Sequence, residues 1–332
     1  MFLFTSYTVA FTALASFVSA QTPAAPIASV VSDPTNVTSD DPPAGKQYSR
    51  DSGFPGTVGT KSFTMNYDTS LCDTDETSNC VFVATNSFVD HTANPAIVHD
   101  PPNGMNLCNT GDQLGWVTNV IGVNSTHGVG FFTNITHANG AESAHGSRPI
   151  IMDVSNDTPV CTNIDNAVEF WTLSNHAAYS NGGVINGTDG YIYLYGTNNT
   201  DIYLARVLLN VKSVSSLSAY QYWNGDAFVS DESAATPVLT NTYGGSPFFS
   251  THYNSYVYLS EAAYFAGVLA ARADQPQGPF SSFTNLFNDP DRGGVYLPYA
   301  LPQYDTTGQT VAIVYSVVDN FSQRVRTITW GN

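Results

Sequence analysis

Apolar and polar positions alternate along this chain in short runs, and the runs come in pairs. "GYIYLYGTNNTDIYLARVLL" (190–209) alternates Tyr and Leu with smaller residues, turns through Gly196 to Thr200, and alternates again. Period and turn chemistry together predict a β-hairpin. "YQYWNGDAF" (220–228) predicts two further short strands around an Asn-Gly turn. The same pairing joins "YNSYVYLS" (253–260) to "FAGVLAARA" (265–273), and "TVAIVYSVV" (310–318) to "RVRTITW" (324–330). Long, capped segments of 3.6-residue period are missing, so helix is minor. The strand signals fall into five groups, 50–90, 112–172, 183–230, 245–285 and 295–330. That spacing predicts an all-β, five-bladed β-propeller of four-stranded blades. A β-sandwich is the alternative; it predicts strands every 8–12 residues without higher grouping.

The ends of the chain read differently. Residues 1–20 form an apolar segment ending in small residues, with Val18 and Ala20 suited to the last positions before a cleavage, as in a secretory signal peptide. Residues 21–45, rich in Pro, Ser, Thr and Asp, have no periodicity and read as a flexible leader. The folded domain is then 46–332, near the upper limit for one core unless each sheet packs its own faces.

Seven Asn-x-Ser/Thr sequons, at Asn36, Asn124, Asn134, Asn156, Asn186, Asn198 and Asn320, suit a secreted, glycosylated surface. In an oxidising compartment the four cysteines predict two disulfides. Three pairings are possible. Cys72–Cys80 with Cys108–Cys161 is favoured, because the first closes a short loop too polar to pack by itself. No CxxC or HxxxH spacing points to zinc, and no metal or cofactor is expected. The net charge of −17 disfavours a nucleic-acid partner. No later apolar run is long enough to span a membrane. A secreted, extracellular monomer that handles a neutral polysaccharide or oligosaccharide fits these features.

"RDSGFPGTVGTKSFTMNYDTS" (50–70) sets an Arg-Asp pair, three glycines and a strand ending in Asp-Thr in one stretch. Glu142 follows, then "RPIIMD" (148–153), the hairpin at 190–209, "YQYWNGDAF", "QGPFSS" (277–282) and "YLPYALPQYDTTGQTVAIVYS" (296–316). In this order the series resembles secreted fungal members of the domain of unknown function 4185 family. One departure is Tyr67, where that family has a glycine in Gly-Asp-Thr. The resemblance implies a propeller similar to the arabinanases and fructosidases, with a funnel at one end of the central channel. Some bacterial relatives are glycoside hydrolases acting within D-arabinan.

Glycoside hydrolysis uses two carboxyl groups facing across the scissile bond, and a propeller's inner strands deliver distant acids to one funnel. Asp51 is the first candidate, with Arg50 beside it to hold it ionised. Its plainer use is an Arg-Asp pair that closes the ring. Glu142, the only acid between Asp112 and Asp153, is the candidate general acid; a solvated loop glutamate is the alternative. Asp68 ends the hairpin that Asp51 begins and is a third carboxyl, or a turn device. Trp116, Trp171, Tyr296 and Tyr299 are candidate sugar-stacking rings, or core, and His252 opens the fourth group. Asp189, Asp226 and Asp305 sit in turn sequences and read as turn formers. The two functions these residues support are cleavage of a furanose-rich, arabinan-type polysaccharide, and lectin-like binding without cleavage.

Overall fold

The computed structural model describes residues 22–332 except 75–78, 92–93, 111–112, 139–140, 165–167, 174–176, 243, 291–292, 320 and 332. It also leaves the side chains of 137, 138, 141 and 142 undescribed. The expected signal peptide, the Asn320 sequon and the side chain of Glu142 therefore lie outside the described residues.

The strands sort into five antiparallel meanders. They open with Phe54–Val58, with the Leu114–Val117 and Ile121–Gly122 stretch, and with Ala178–Asn186, Pro247–Ser250 and Val295–Leu301. Each opening strand touches that of the next meander, and the fifth touches the first, so the innermost strands close a ring. The chain is thus a β-propeller. Its first two meanders share one sheet, joined where Ile121 pairs in parallel with Thr57. The predicted hairpin forms as Tyr191–Asn198 against Asp201–Leu208.

Apolar faces meet between meanders rather than at one centre. Val257, Leu259 and Val268 of the fourth pack on Ile313, Tyr315 and Trp330 of the fifth. Phe131 and Trp171 of the second pack on Leu194 and Tyr222 of the third. Repeated packing of this kind lets a chain of this length bury its strands without one oversized core.

Residues 21–45, read from sequence as a flexible leader, are instead built in from the first described positions. Ala28–Val31 pairs with Gln323–Trp330 and adds a strand to the last meander. Thr38–Ser39 pairs in parallel with Ile97–His99. An unpaired sheet edge offers free backbone donors and acceptors, and Ala28 and Val31 add apolar contact there. Composition could not reveal a partner some 300 residues away.

A separate three-stranded sheet, Lys46–Arg50, Thr69–Asp73 and Cys80–Ala84, carries the Cys72–Cys80 disulfide. Cys108–Cys161 is the second, so the favoured pairing is the one that forms. Asn36, Asn124, Asn156, Asn186 and Asn198 are exposed. Asn134 is half-buried, and its amide donates to Glu169 Oε1 at 2.7 Å.

Candidate functional site at the Asp51 mouth

The chain reaches the channel through a kink. Ser52 is fully buried with a φ of 50°, a left-handed conformation rare outside glycine. Its backbone N–H donates to Ser316 Oγ at 2.7 Å, and Gln323 Nε2 donates to its carbonyl at 3.0 Å. Gly53 follows because a side chain there would come within 2.5 Å of Thr64 Cγ2 and 2.6 Å of Asn66 Oδ1. The kink fixes the half-buried Asp51, whose N–H donates to Asp68 O at 2.7 Å and whose carbonyl accepts from Tyr67 N at 3.0 Å.

Arg50, the last residue of the strand Lys46–Arg50, is 2% exposed and ion-paired with Asp100. Its guanidinium also lies 4.7 Å from the centre of the Tyr48 ring. The expected Arg50 contribution to substrate binding gives way to a buried structural pair with Asp100.

Around Asp51 the rings are ordered. Tyr67 is buried and stacks on Trp116 with centroids 5.1 Å apart. Trp116 Nε1 donates to Asp68 Oδ1 at 3.0 Å, which holds that half-buried carboxyl at the same mouth. Burial, then the nearby Tyr296 and Asp51, push the Tyr67 hydroxyl well above its ordinary value, so it stays protonated.

A second carboxyl reaches this end from the fourth meander. Glu261 ends the strand Ser255–Glu261 and is 3% exposed. Its Oε1 accepts from Leu297 N at 2.6 Å. Burial pushes its pKa from 4.5 up to about 7, against the lowering effect of that N–H. Leu297 sits at φ 42°, inside an irregularity of pairing between Tyr296 and Tyr299. Such bulges re-aim the chain beside functional sites. The Leu297 carbonyl in turn accepts from Ser52 Oγ at 3.3 Å. One residue of the fifth meander therefore bridges Glu261 and the neighbour of Asp51. Glu261 also lines a cavity of about 400 Å³ with Ala262, Ala263, Tyr264 and Phe265.

The opposite mouth differs in kind. Its cavity of about 530 Å³ is lined by residues such as Pro55, Asn119, Val184, Pro247, Phe248 and Ala300, with no charged side chain among the described residues. Among the described residues no three His, Cys, Asp or Glu gather as a metal site.

The other sequence candidates separate. Tyr296 and Trp116 stand at the Asp51 mouth. Tyr299 is 2% exposed and packs with Leu301, Ala312 and Val314. Trp171 is fully buried and donates to Tyr222 OH at 3.0 Å. His252 lies in the turn after Pro247–Ser250, at the far end of its hairpin from Glu261, with Nε2 3.3 Å from Gly331 O. These three are core or turn residues rather than site residues. Asp189 and Asp305 accept from Tyr191 N and Thr307 N, as turn formers do.

Glu261 escaped the sequence reading, although one signal marks it. It is the only acid between Glu232 and Asp274, the same isolation that drew attention to Glu142.

A family model described as a domain of unknown function, DUF4185, matches residues 131–325. No curated protein sequence matches the chain. Among solved structures, a Bacteroides ovatus protein provisionally assigned as a hydrolase superposes with a TM-score of 0.58 at 15% identity, covering 89% of this chain and 87% of that one. A family 117 glycoside hydrolase from Zobellia galactanivorans gives 0.54 at 12%, covering 89% of each. A GDP-Man-dependent mannosyltransferase from Leishmania mexicana gives 0.51 at 10%, covering 92% and 90%. At these identities the likeness is one of fold.

Proposed function

Because the chain belongs to the DUF4185 family and its fold is one that glycoside hydrolases use, we propose that it hydrolyses glycosidic bonds in a neutral polysaccharide at the Asp51 mouth. The observation that carries this reading is Leu297, whose N–H donates to the buried Glu261 and whose carbonyl accepts from Ser52, the neighbour of Asp51. Glu261 is buried and protonated up to about pH 7, while Asp51, in the kink before the first innermost strand, is half-buried. A carboxyl kept protonated near neutral pH suits the acid of a two-carboxyl hydrolysis, with a second carboxyl across the scissile bond from it. Glu261 donates its proton to the leaving glycosidic oxygen as the bond to the anomeric carbon breaks. Asp51 supplies the negative charge that the opposing face requires, and water completes the cleavage. Asp68, tied to Trp116, orients substrate hydroxyls. Glu142 remains the acid that the sequence alone nominated.

The family resemblance makes a furanose-rich, arabinan-type polymer the first substrate to try. The two disulfides support a secreted protein. Lectin-like binding without cleavage is the second reading, favoured by the rings that line the same mouth. Reducing ends released from arabinan, galactan and fructan separate the two. The wild type releases sugar, and Asp51→Asn lowers the rate by about 100-fold or more while the fold is kept. An equal rate in Asp51→Asn removes Asp51 from the chemistry, and no release from any neutral polymer removes the hydrolase reading.

A further inference from the structure

The turn after Glu261 spends backbone strain on exposing a ring. Tyr264 and Phe265 are consecutive left-handed residues, at φ 60° and 57°. Bulky side chains seldom adopt this conformation once, and here it occurs twice running. The strain does not serve the core, because Tyr264 is 96% exposed and Phe265 38% exposed. Neighbouring chain is shaped to allow it. Gly294, at φ 99°, would place a side chain 2.1 Å from the Phe265 carbonyl oxygen. Strain kept at a solvent-facing tip beside a buried carboxyl points to binding rather than to folding.

The ring does not stand alone. Phe265 meets Tyr296 edge-on with centroids 6.2 Å apart, and Tyr296 meets Phe321 at 5.9 Å. Phe321 is 40% exposed, and its carbonyl accepts from Arg50 N at 3.0 Å, one residue before Asp51. A file of aromatic residues thus runs from the tip, along the Glu261 cavity that Tyr264 and Phe265 line, to Arg50, one residue before Asp51. Each ring offers a flat apolar face, the partner that the C–H face of a sugar ring prefers.

We propose that Tyr264, backed by Phe265, Tyr296 and Phe321, is a platform on which a neutral polysaccharide lies as it crosses the Glu261 cavity. The platform rests on the sugar-processing reading of this mouth and extends it to a subsite beyond the cleavage point. A neutral chain is the fitting occupant, because the protein's net charge of −17 repels acidic polymers and the file is continuous with the carboxyl mouth.

Affinity electrophoresis through gels containing linear arabinan, β-1,3-galactan or polygalacturonate tests this with the intact protein. Wild type is retarded by a neutral polymer and not by polygalacturonate. Tyr264→Ala weakens retardation by about three- to tenfold, and Tyr264→Trp restores it. The Tyr264 side chain is 96% exposed, so both variants keep the wild-type melting temperature. Equal retardation of wild type and Tyr264→Ala overturns the platform, as does retardation by polygalacturonate alone or by no polymer at all. Sugar release by wild type, measured separately, distinguishes that failure from failure of the hydrolase reading. A wild type that cleaves while Tyr264→Ala binds equally well loses only the platform.

Discussion

Glu261→Gln tests the acid assignment through stability as well as through rate. The carboxyl is 3% exposed, and burial moves its pKa from 4.5 to about 7. At about 1.4 kcal/mol per tenfold, that displacement penalises the ionised form by about 3 kcal/mol. The unfolded carboxyl loses its proton near its ordinary value, and the folded one only near 7. Between those points the folded state holds more protons, so stability falls as pH rises. The loss begins near pH 4.5 and is complete above about 7. Gln keeps an oxygen for Leu297 N and cannot ionise.

His91 acts in the opposite direction over much of the same window. Burial lowers its pKa from 6.5 to about 4, so unfolding takes up a proton and stability rises with pH toward 6.5. Wild-type stability alone therefore mixes two opposed trends, and subtracting the variant cancels the His91 part. In urea denaturation at about pH 4.5, 6 and 8, the variant should gain about 3 kcal/mol on the wild type across the series. A difference that stays constant with pH would refute a buried, ionising Glu261. The acid role would fall with it.

Three further substitutions probe the frame around the mouth. Asp100→Asn leaves Arg50, 2% exposed, without its ion-pair partner. A loss of about 3–5 kcal/mol is expected in urea denaturation; a loss under about 1 kcal/mol would mean the pair does not anchor the strand before Asp51. The two disulfides close separations of 8 and 53 residues, so chain entropy predicts losses of about 2.5 and about 4 kcal/mol when each pair is changed to serine. The reverse order by denaturation would contradict the entropic account. Gly294→Ala, at φ 99° against the Phe265 carbonyl, should cost more than about 1 kcal/mol and weaken retention on neutral polysaccharide. A stable variant with full retention would show that the tip does not need that close approach.

What the sequence revealed and what it hid follow from the range of the interactions involved. The hairpin of Tyr191–Asn198 and Asp201–Leu208 was legible because alternation and turn chemistry are local. The Cys72–Cys80 bridge was legible for the same reason. Arg50 misled, because adjacency in sequence put it at the site, whereas its guanidinium is buried in an ion pair. Its real partner, Asp100, lies 50 residues on. The pairing of Ala28–Val31 with Gln323–Trp330 spans nearly the whole chain, so composition could only suggest a leader. Asp51 and Asp68 drew notice in the sequence because glycines and a turn sequence mark their hairpin. Glu261 was passed over because it ends an apolar strand, where its burial depends on Leu297 and on chain from another meander. Tyr264 was hidden more completely, as no residue pattern announces two successive left-handed aromatic residues.

The central claim is spatial, and a crystal structure of Asp51→Asn with a bound neutral oligosaccharide tests it most directly. The account predicts a glycosidic oxygen between Glu261 and residue 51, with the chain continuing over Tyr264. A sugar seated instead in the uncharged cavity of about 530 Å³ at the opposite mouth, against Pro55, Val184 and Phe248, would contradict it.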